Sequence, residues 1–490
     1  MKRRKKRLPG LMILGIAFAL VAAACAGADT VDTPPETVIV EVEVPGVTVT
    51  SIVEVEVEVP TGGELITLVA RCRAKQSIEE GRCNNLLRGV VDANAALEAS
   101  GDDRRVQVKI IQDNPAAGDY VTEFELSSAA GEAPDIIAAA AVNVGTWGAS
   151  GIIADVTDMI GDYPEFDDIV PSLWASTELN DRRYGVPLDA EARPLYFRKD
   201  LLAELGWSQA EIDSLPARLA SGEYTWEDMF DTAEEAVDAG VVDPGFGWWP
   251  RPKNGPDFLY YYYAAGGELM DPSGALIYDT AAAKIVYEIM GDAVARDILL
   301  DTRLDGDWGN WHNGVAFGNV LFWFAGSWQW AEWAEFFVAD LGGEEYLFEN
   351  VGFGPIPALA RGTNTPITLT NPFAYMVSSA TENVDLALLV ISKATTTELN
   401  TEYALASGKL GILKSQADYE PYTSARFQSE MAPILEFTTF QPNSPFFSAW
   451  SDAYYLGIAA VVSGEATPEE AVDIVVDQLE NELGDNVIIK

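Results

Sequence analysis

Histidine is all but missing: His312 is the only one in 490 residues. A zinc cluster built on two or more histidines is therefore excluded, and a histidine-based triad would have to be built on His312, which stands beside Trp311 and reads as a surface or packing residue. Basic residues are few, 31 against 76 acidic ones, for a net charge of −45. A surface that acidic repels nucleic acid and anionic membranes and favours solubility. The apolar stretch Leu11 to Val21 is too short to cross a bilayer comfortably. There is no G-x-S-x-G elbow, no Walker loop and no G-x-G-x-x-G after the first strand. Asp301, Asp305 and Asp307 lack the EF-hand spacing. With 76 acids in the chain, chance carboxylate pairs say nothing of a glycosidase. Neither an enzyme nor a cofactor is called for.

Six of the scarce basic residues fall between Lys2 and Arg7, ahead of the apolar stretch and of Ala22, Ala23, Ala24 and Cys25. That order reads as an export signal of residues 1–24. Small residues before a cysteine resemble a lipobox, whose cysteine is acylated, although Ala22 stands where a branched apolar residue is usual; ordinary cleavage after Ala24 is the alternative. Of the three cysteines Cys25 is then the odd one. Cys72 and Cys83 are left as a C-x10-C pair that, outside the cytoplasm, reads as a disulfide.

Residues 25–63 read as an acidic, valine-rich tether. VIVEVEVP (38–45) returns as IVEVEVEVP (52–60), an alternation that suits an extended stalk or loose hairpin better than a domain. Fully extended, the segment would reach roughly 125 Å. Folded structure is expected from about Leu65. Strands at LITLVAR, 105–112 and 134–141 alternate with helices at 86–98 and 120–130, which implies α/β architecture with a mainly parallel sheet. Thr225 with Asp228 marks a helix start and Gly240 its stop.

The segment Tyr184 to Trp207 is the most informative. After Pro187, Asp189, Glu191 and Arg193 recur at every second position with Ala190 and Ala192 between them. In an extended backbone the charges share one side and the alanines the other. A second apolar run (195–197) and a helix from about Lys199 to Gly206 follow. This pattern resembles the first interdomain crossover of the extracellular solute-binding proteins of ABC importers, the maltose- and sugar-binding group. Further segments resemble the same family in the same order: NGPDFLYYYYAAGGELMD (254–271), NVLFWFAGSWQW (319–330), VGFGPIPA (351–358), the return crossover beginning TLTNPFAYMV, and ALASGKLGILKSQAD (404–418), the last with Ile412 and Leu413 where proline is usual.

The resemblance implies a periplasmic-binding-protein-like type II fold, with two discontinuous α/β lobes around a hinge and cleft. Lobe one would be 64–187 plus 372–440, and lobe two 188–371 plus 441–490. It implies a monomeric lipoprotein, anchored outside the cytoplasm through Cys25, that passes a small solute to an ABC transporter permease. A carbohydrate is the leading ligand. A sensory receptor of the same fold and an extracellular carbohydrate-active enzyme are the other readings.

Sugar sites combine flat aromatic rings with charged or amide side chains. Family position points to Trp328 as a stacking ring, to Glu191 or Asp189 as a hinge carboxylate, and to Asp257 beside Asn254. It also points to Asn371 and Phe373 on the return crossover, and to Trp450 or Tyr454 late in the chain. Nine of the 13 tryptophans fall within 226–333, which suits a cleft dominated by lobe two. In lobe one only Asn143 is polar after PDII, and Trp147 reads as packing. Arg71, Arg73, Lys75 and Arg82 form a basic cluster that either balances local charge or uses Arg73 to hold an anionic solute such as a uronate.

Overall fold

A computed structural model describes residues 51–53 and 63–490, apart from 76, 272, 303, 305 and 361–366. Cys25 and most of the tether lie outside the described residues. From Leu68 onward the strand Glu64–Arg73 alternates buried and half-buried residues as a period-two pattern requires. It runs parallel to Arg104–Asp113 on one side and to Ile136–Ala140 on the other. Helix Gly81–Ser100 covers one face and ends at Gly101, whose φ of 77° permits the left-handed cap. On the other face, Phe124 of helix Ala117–Ala130 packs on Trp147 with ring centres 4.6 Å apart.

The sheet gains three antiparallel additions. Phe373–Val377 returns beside Ile136–Ala140, and Val186–Pro187 pairs with it in turn. At the other end, Ser51–Val53 pairs with Ile110–Gln112. For residues 25–63 the sequence suggests a stalk or loose hairpin. Ser51–Val53 instead occupies the edge of Arg104–Asp113, an edge otherwise open to other strands. A sheet expected to be mainly parallel therefore has a parallel centre and antiparallel flanks, because its returning strand re-enters from the opposite lobe.

The second lobe is built on a small sheet, in which Leu195–Arg198 lies between Phe322–Phe324 and Val351–Gly354, antiparallel to both. Helix Trp226–Asp238 begins at the expected capping box of Thr225 and Asp228. The core here is aromatic. Trp226 meets Trp248, Tyr261 and Phe230 edge-on, and Tyr196 stacks on Trp323 with ring centres 5.7 Å apart. Of the nine tryptophans in this region only Trp308 and Trp328 keep partial exposure; the other seven are interior. The tryptophan-rich composition thus reports a core, not a cleft lining.

Cys72 and Cys83 are disulfide-bonded with Cα atoms 5.9 Å apart, and both are buried. The link ties the end of the first strand to the helix that follows it. Closing a loop of that size contributes about 3 kcal/mol in the chain-entropy account. No helix among the described residues is long and apolar enough to cross a membrane.

Candidate functional site

Four chain segments lie side by side where the two sheets meet. The Ala190 N–H donates to the Leu410 carbonyl (3.0 Å), and the Leu410 N–H donates back (2.8 Å). On the other side of the same crossover, the N–H groups of Glu191 and Arg193 donate to the hydroxyls of Thr370 (3.2 Å) and Thr368 (2.9 Å). Thr368–Thr370 then pairs in parallel with Thr438–Phe440. The hinge is therefore a ribbon in the order 410, 190–193, 368–370, 438–440.

The alternation read from the sequence places Ala190 and Ala192 in the interior, yet the three charges between and beside them are not solvated. Asp189, Glu191, Arg193, Asp257 and Lys409 each expose 5% of their surface or less. Burying charge without partners is prohibitive, so each must be paired. Lys409 Nζ donates to Glu191 Oε2 and Arg193 Nη2 to Glu191 Oε1, both at 2.6 Å. Arg193 Nη1 pairs with Asp257 Oδ1, whose second oxygen takes Arg251 Nη1 at 2.7 Å. Asp189 accepts from the Phe373 N–H (2.8 Å) and the Tyr403 hydroxyl (2.9 Å), with Lys409 Nζ farther off at 3.8 Å.

These environments separate the carboxyls. Burial pushes the Asp189 carboxyl up, outweighing Lys409 and Arg82. Burial acts on Asp257 in the same sense, but two guanidinium groups, Arg193 and Arg251, hold it below the usual carboxylate range. Glu79 is likewise desolvated, yet Arg82 and the Lys75 N–H bring it down to about 2.

A half-exposed indole stands at each end of the chain Arg251–Asp257–Arg193. The Arg251 guanidinium carbon lies 5.2 Å from the ring centre of Trp308, and that of Arg193 lies 4.7 Å from Trp328. Lys409 Nζ is 4.6 Å from the same Trp328 ring. Such distances suit cation–π attraction, stronger where the cation is desolvated. The buried Arg193 Nε has no partner among the described residues. The arrangement offers two aromatic platforms joined by fixed charges, which can bind a polar ligand with apolar faces.

The two lobes also touch in front of this network. Lys75, after the first strand, forms an ion pair with Glu332 on helix Trp328–Phe336, and the Ser77 hydroxyl approaches Glu335 Oε1 at 3.5 Å. Glu332 Oε1 also lies 3.9 Å from His312 Nε2. His312 is interior, not on the surface. It accepts from Trp333 Nε1 (3.0 Å) and stacks on Phe337, and burial lowers its pKa.

The structure thus joins Asp189, Glu191, Asp257, Trp328 and Asn371 in one place; the Asn371 N–H donates to Glu191 Oε1 at 3.3 Å. Arg73 is half-buried close by, with the Arg82 guanidinium donating to its carbonyl. Asn143 turns back on its own chain, donating to the Ala140 carbonyl (3.0 Å). Trp450 sits in the interior between Phe447 and Tyr454, its Nε1 donating to the Ile277 carbonyl (3.0 Å), and Tyr454 is buried with it. Neither ring leaves a face open to a ligand. Asn254 and Asp452 hydrogen-bond at the surface (2.7 Å).

Lys409, Arg251, Tyr403 and Trp308 were missed from the sequence. For Lys409 and Arg251 the one advance signal was scarcity, since basic residues are few in so acidic a chain; Tyr403 and Trp308 gave none.

A cavity lies elsewhere. About 670 Å³ opens beside Thr439–Phe446, between Ala175 and Glu178–Asn180 on one side and Tyr263 and Gly267–Met270 on the other. It adjoins the 438–440 edge of the ribbon, away from Leu410, and no candidate ligand residue lines it.

Comparison with known proteins agrees with this architecture. The GacH receptor of Streptomyces glaucescens, solved unliganded and with acarbose, superposes with a TM-score of 0.68 at 19% identity, covering 86% of this chain and 99% of that one. Maltose-bound MalE3 of T. maritima gives 0.67 at 18%, covering 85% and 100%. The cyclic alpha-maltosyl-1,6-maltose binding protein of Arthrobacter globiformis gives 0.65 at 19%, covering 86% and 99%. At these identities the likeness establishes the fold. The family described as bacterial extracellular solute-binding protein matches residues 92–400, more than half of the chain, and to that family this chain belongs.

Proposed function

We propose that this chain is the solute-capturing lipoprotein of an ABC importer, tethered through acylated Cys25 and acting as a monomer. Its solute is a carbohydrate, held at the lobe junction against Trp328 and Trp308. The observation that carries this reading is the pair of half-exposed indoles, each under a guanidinium, bridged by buried Asp257. Indole faces suit the apolar faces of sugar rings, and the fixed charges suit their hydroxyls. Structural neighbours captured with acarbose and maltose support the solute class.

Function then follows from the junction. The Lys75–Glu332 pair must part to admit a solute and re-form to enclose it, while the hydrogen-bonded ribbon acts as the hinge. The closed form is what a permease would recognise, by population shift. A sensory receptor would use the same geometry; stimulation of a permease's ATPase by the loaded protein separates transport from sensing.

One observation favours a second seat: the cavity of about 670 Å³ falls within the range of ligand pockets. Melting of the mature chain against neutral sugars, oligosaccharides, uronates and sugar phosphates tests both. A ligand at 100 times its Kd adds about 2.7 kcal/mol. Loss of that shift in Trp328→Ala supports the junction, whereas loss in Phe446→Ala alone moves the seat to the cavity. Unmodified ligand recovered afterwards rules against an enzyme, and no shift with any carbohydrate sinks the assignment.

A further inference from the structure

This inference rests on the lobe junction being the solute site. Four basic residues cluster at the end of the first strand and just beyond it, and three are neutralised. Arg71 pairs with Asp113 (2.7 Å) and Glu123, Lys75 with Glu332, and Arg82 with Glu79 (3.0 Å). Arg73 is different. Its Nε donates to the Pro115 carbonyl (2.7 Å), and among the described residues its guanidinium makes no ion pair and its two terminal nitrogens no hydrogen bond.

The carboxylates that act on Arg73 are Glu79 and, from the opposite lobe, Glu332. Both are already committed, to Arg82 and Lys75. Arg73, Lys75 and Arg82 thus share two carboxylates and leave one positive charge over. In the neighbouring hinge network Glu191 and Asp257 are already paired with Arg193, Arg251 and Lys409, and Asp189 lies 3.8 Å from Lys409 Nζ, so three cations stand against three carboxyls. Burial and the nearby Arg82 both destabilise the Arg73 cation and lower its pKa. A chain with a net charge of −45 has no shortage of carboxylates to place there. It leaves this position without one.

We propose that Arg73 is a specificity-determining residue whose free guanidinium edge receives an anionic oxygen group of the carbohydrate, a carboxylate or a phosphate. The planar fork matches either group with two parallel hydrogen bonds. The solute supplies the counter-charge that the protein withholds, so Arg73 is paired in the closed junction only when an acidic ligand is inside. A neutral sugar would leave Arg73 desolvated and unpaired on closure.

Calorimetry on the mature chain with matched ligands tests this: digalacturonate against its neutral galactose disaccharide, and glucose 6-phosphate against glucose. The expected result is at least tenfold tighter binding of one acidic member than of its neutral partner. Arg73→Gln should abolish that preference, and Arg73→Lys should keep part of it. Preference for digalacturonate identifies a uronate ligand, and preference for glucose 6-phosphate a sugar phosphate. Equal binding of neutral and acidic members by the wild type, unchanged in Arg73→Gln, overturns the role of Arg73 and leaves the carbohydrate function standing. No binding of any of the four, with no melting shift across the wider panel, overturns both.

Discussion

Gly326 and Trp328 are built around each other: a Cβ on Gly326 would fall 1.6 Å from the Cζ3 atom of the Trp328 ring. Glycine is therefore a condition of the indole's position, and the segment AGSWQW places its aromatic ring by what it omits. Gly326→Ala must push the ring aside, because no rotamer of alanine avoids the clash. The expected outcome is a loss of ligand affinity of at least tenfold, close to that of Trp328→Ala, with near-native melting. Titration calorimetry on both variants checks it. Unchanged affinity in Gly326→Ala would show that the ring does not contact the solute.

The Lys75–Glu332 pair spans the two lobes with both side chains partly exposed. An ion pair of that kind contributes about 1 kcal/mol. Lys75→Met should therefore weaken closure by about that much and lower ligand affinity roughly fivefold. Small-angle scattering should show a larger radius of gyration for the ligand-free variant, restored by saturating ligand. An identical radius with and without the pair would mean that other contacts hold the lobes together.

Two buried carboxylates of the hinge should respond unequally to the same change. Asp257 balances two guanidinium groups, so Asp257→Asn strands both, and breaking a buried pair costs about 3–5 kcal/mol. Asp189 is raised by burial, and its main partners are the Phe373 N–H and the Tyr403 hydroxyl. An asparagine oxygen can still accept from the Phe373 N–H, so Asp189→Asn should cost about 1 kcal/mol or less. Urea midpoints of the two variants settle the ranking. A larger loss for Asp189→Asn would show that Lys409 depends on Asp189 more than on Glu191.

Local features of this design were legible in the sequence. The period-two charges at 189, 191 and 193, the Thr225 cap, the disulfide pair and the Gly-Ser-Trp segment all depend on neighbours a few residues away, and they appear in the structure. What escaped was the pairing. Glu191 meets a lysine 218 residues later, Arg193 meets an aspartate 64 residues later, and Asp189 meets Tyr403. No spacing rule reaches that far, so the charges looked like free ligand contacts when each has an internal partner. Trp450 misled for a related reason. On an α-helix a residue two positions from an outward one is turned by about 200°, and the aromatic signal alone does not say which way it faces. The exposed neighbour is Asp452, paired with Asn254.

Acid should loosen the first lobe through Glu79. Burial would raise this carboxyl, but Arg82, the Lys75 N–H and the Lys75 charge hold it at about 2 in the folded protein. A carboxyl whose folded pKa lies below its unfolded value, about 4.3, is protonated first in the unfolded chain. Its stabilisation, roughly 3 kcal/mol, is thus complete above the unfolded value and drains away as the pH falls through about 2. Asp257 acts in the same direction. Asp189 acts against it, since its raised carboxyl takes up a proton early and then costs less to bury. Melting between pH 7 and pH 2 should therefore show a steep decline below pH 4 in the wild type. Glu79→Gln should start from a lower melting temperature and decline less, because it has no proton to gain and Arg82 has already lost its counter-charge. Parallel curves for the two proteins would remove Glu79 from the acid response and place it on the carboxylates of the hinge.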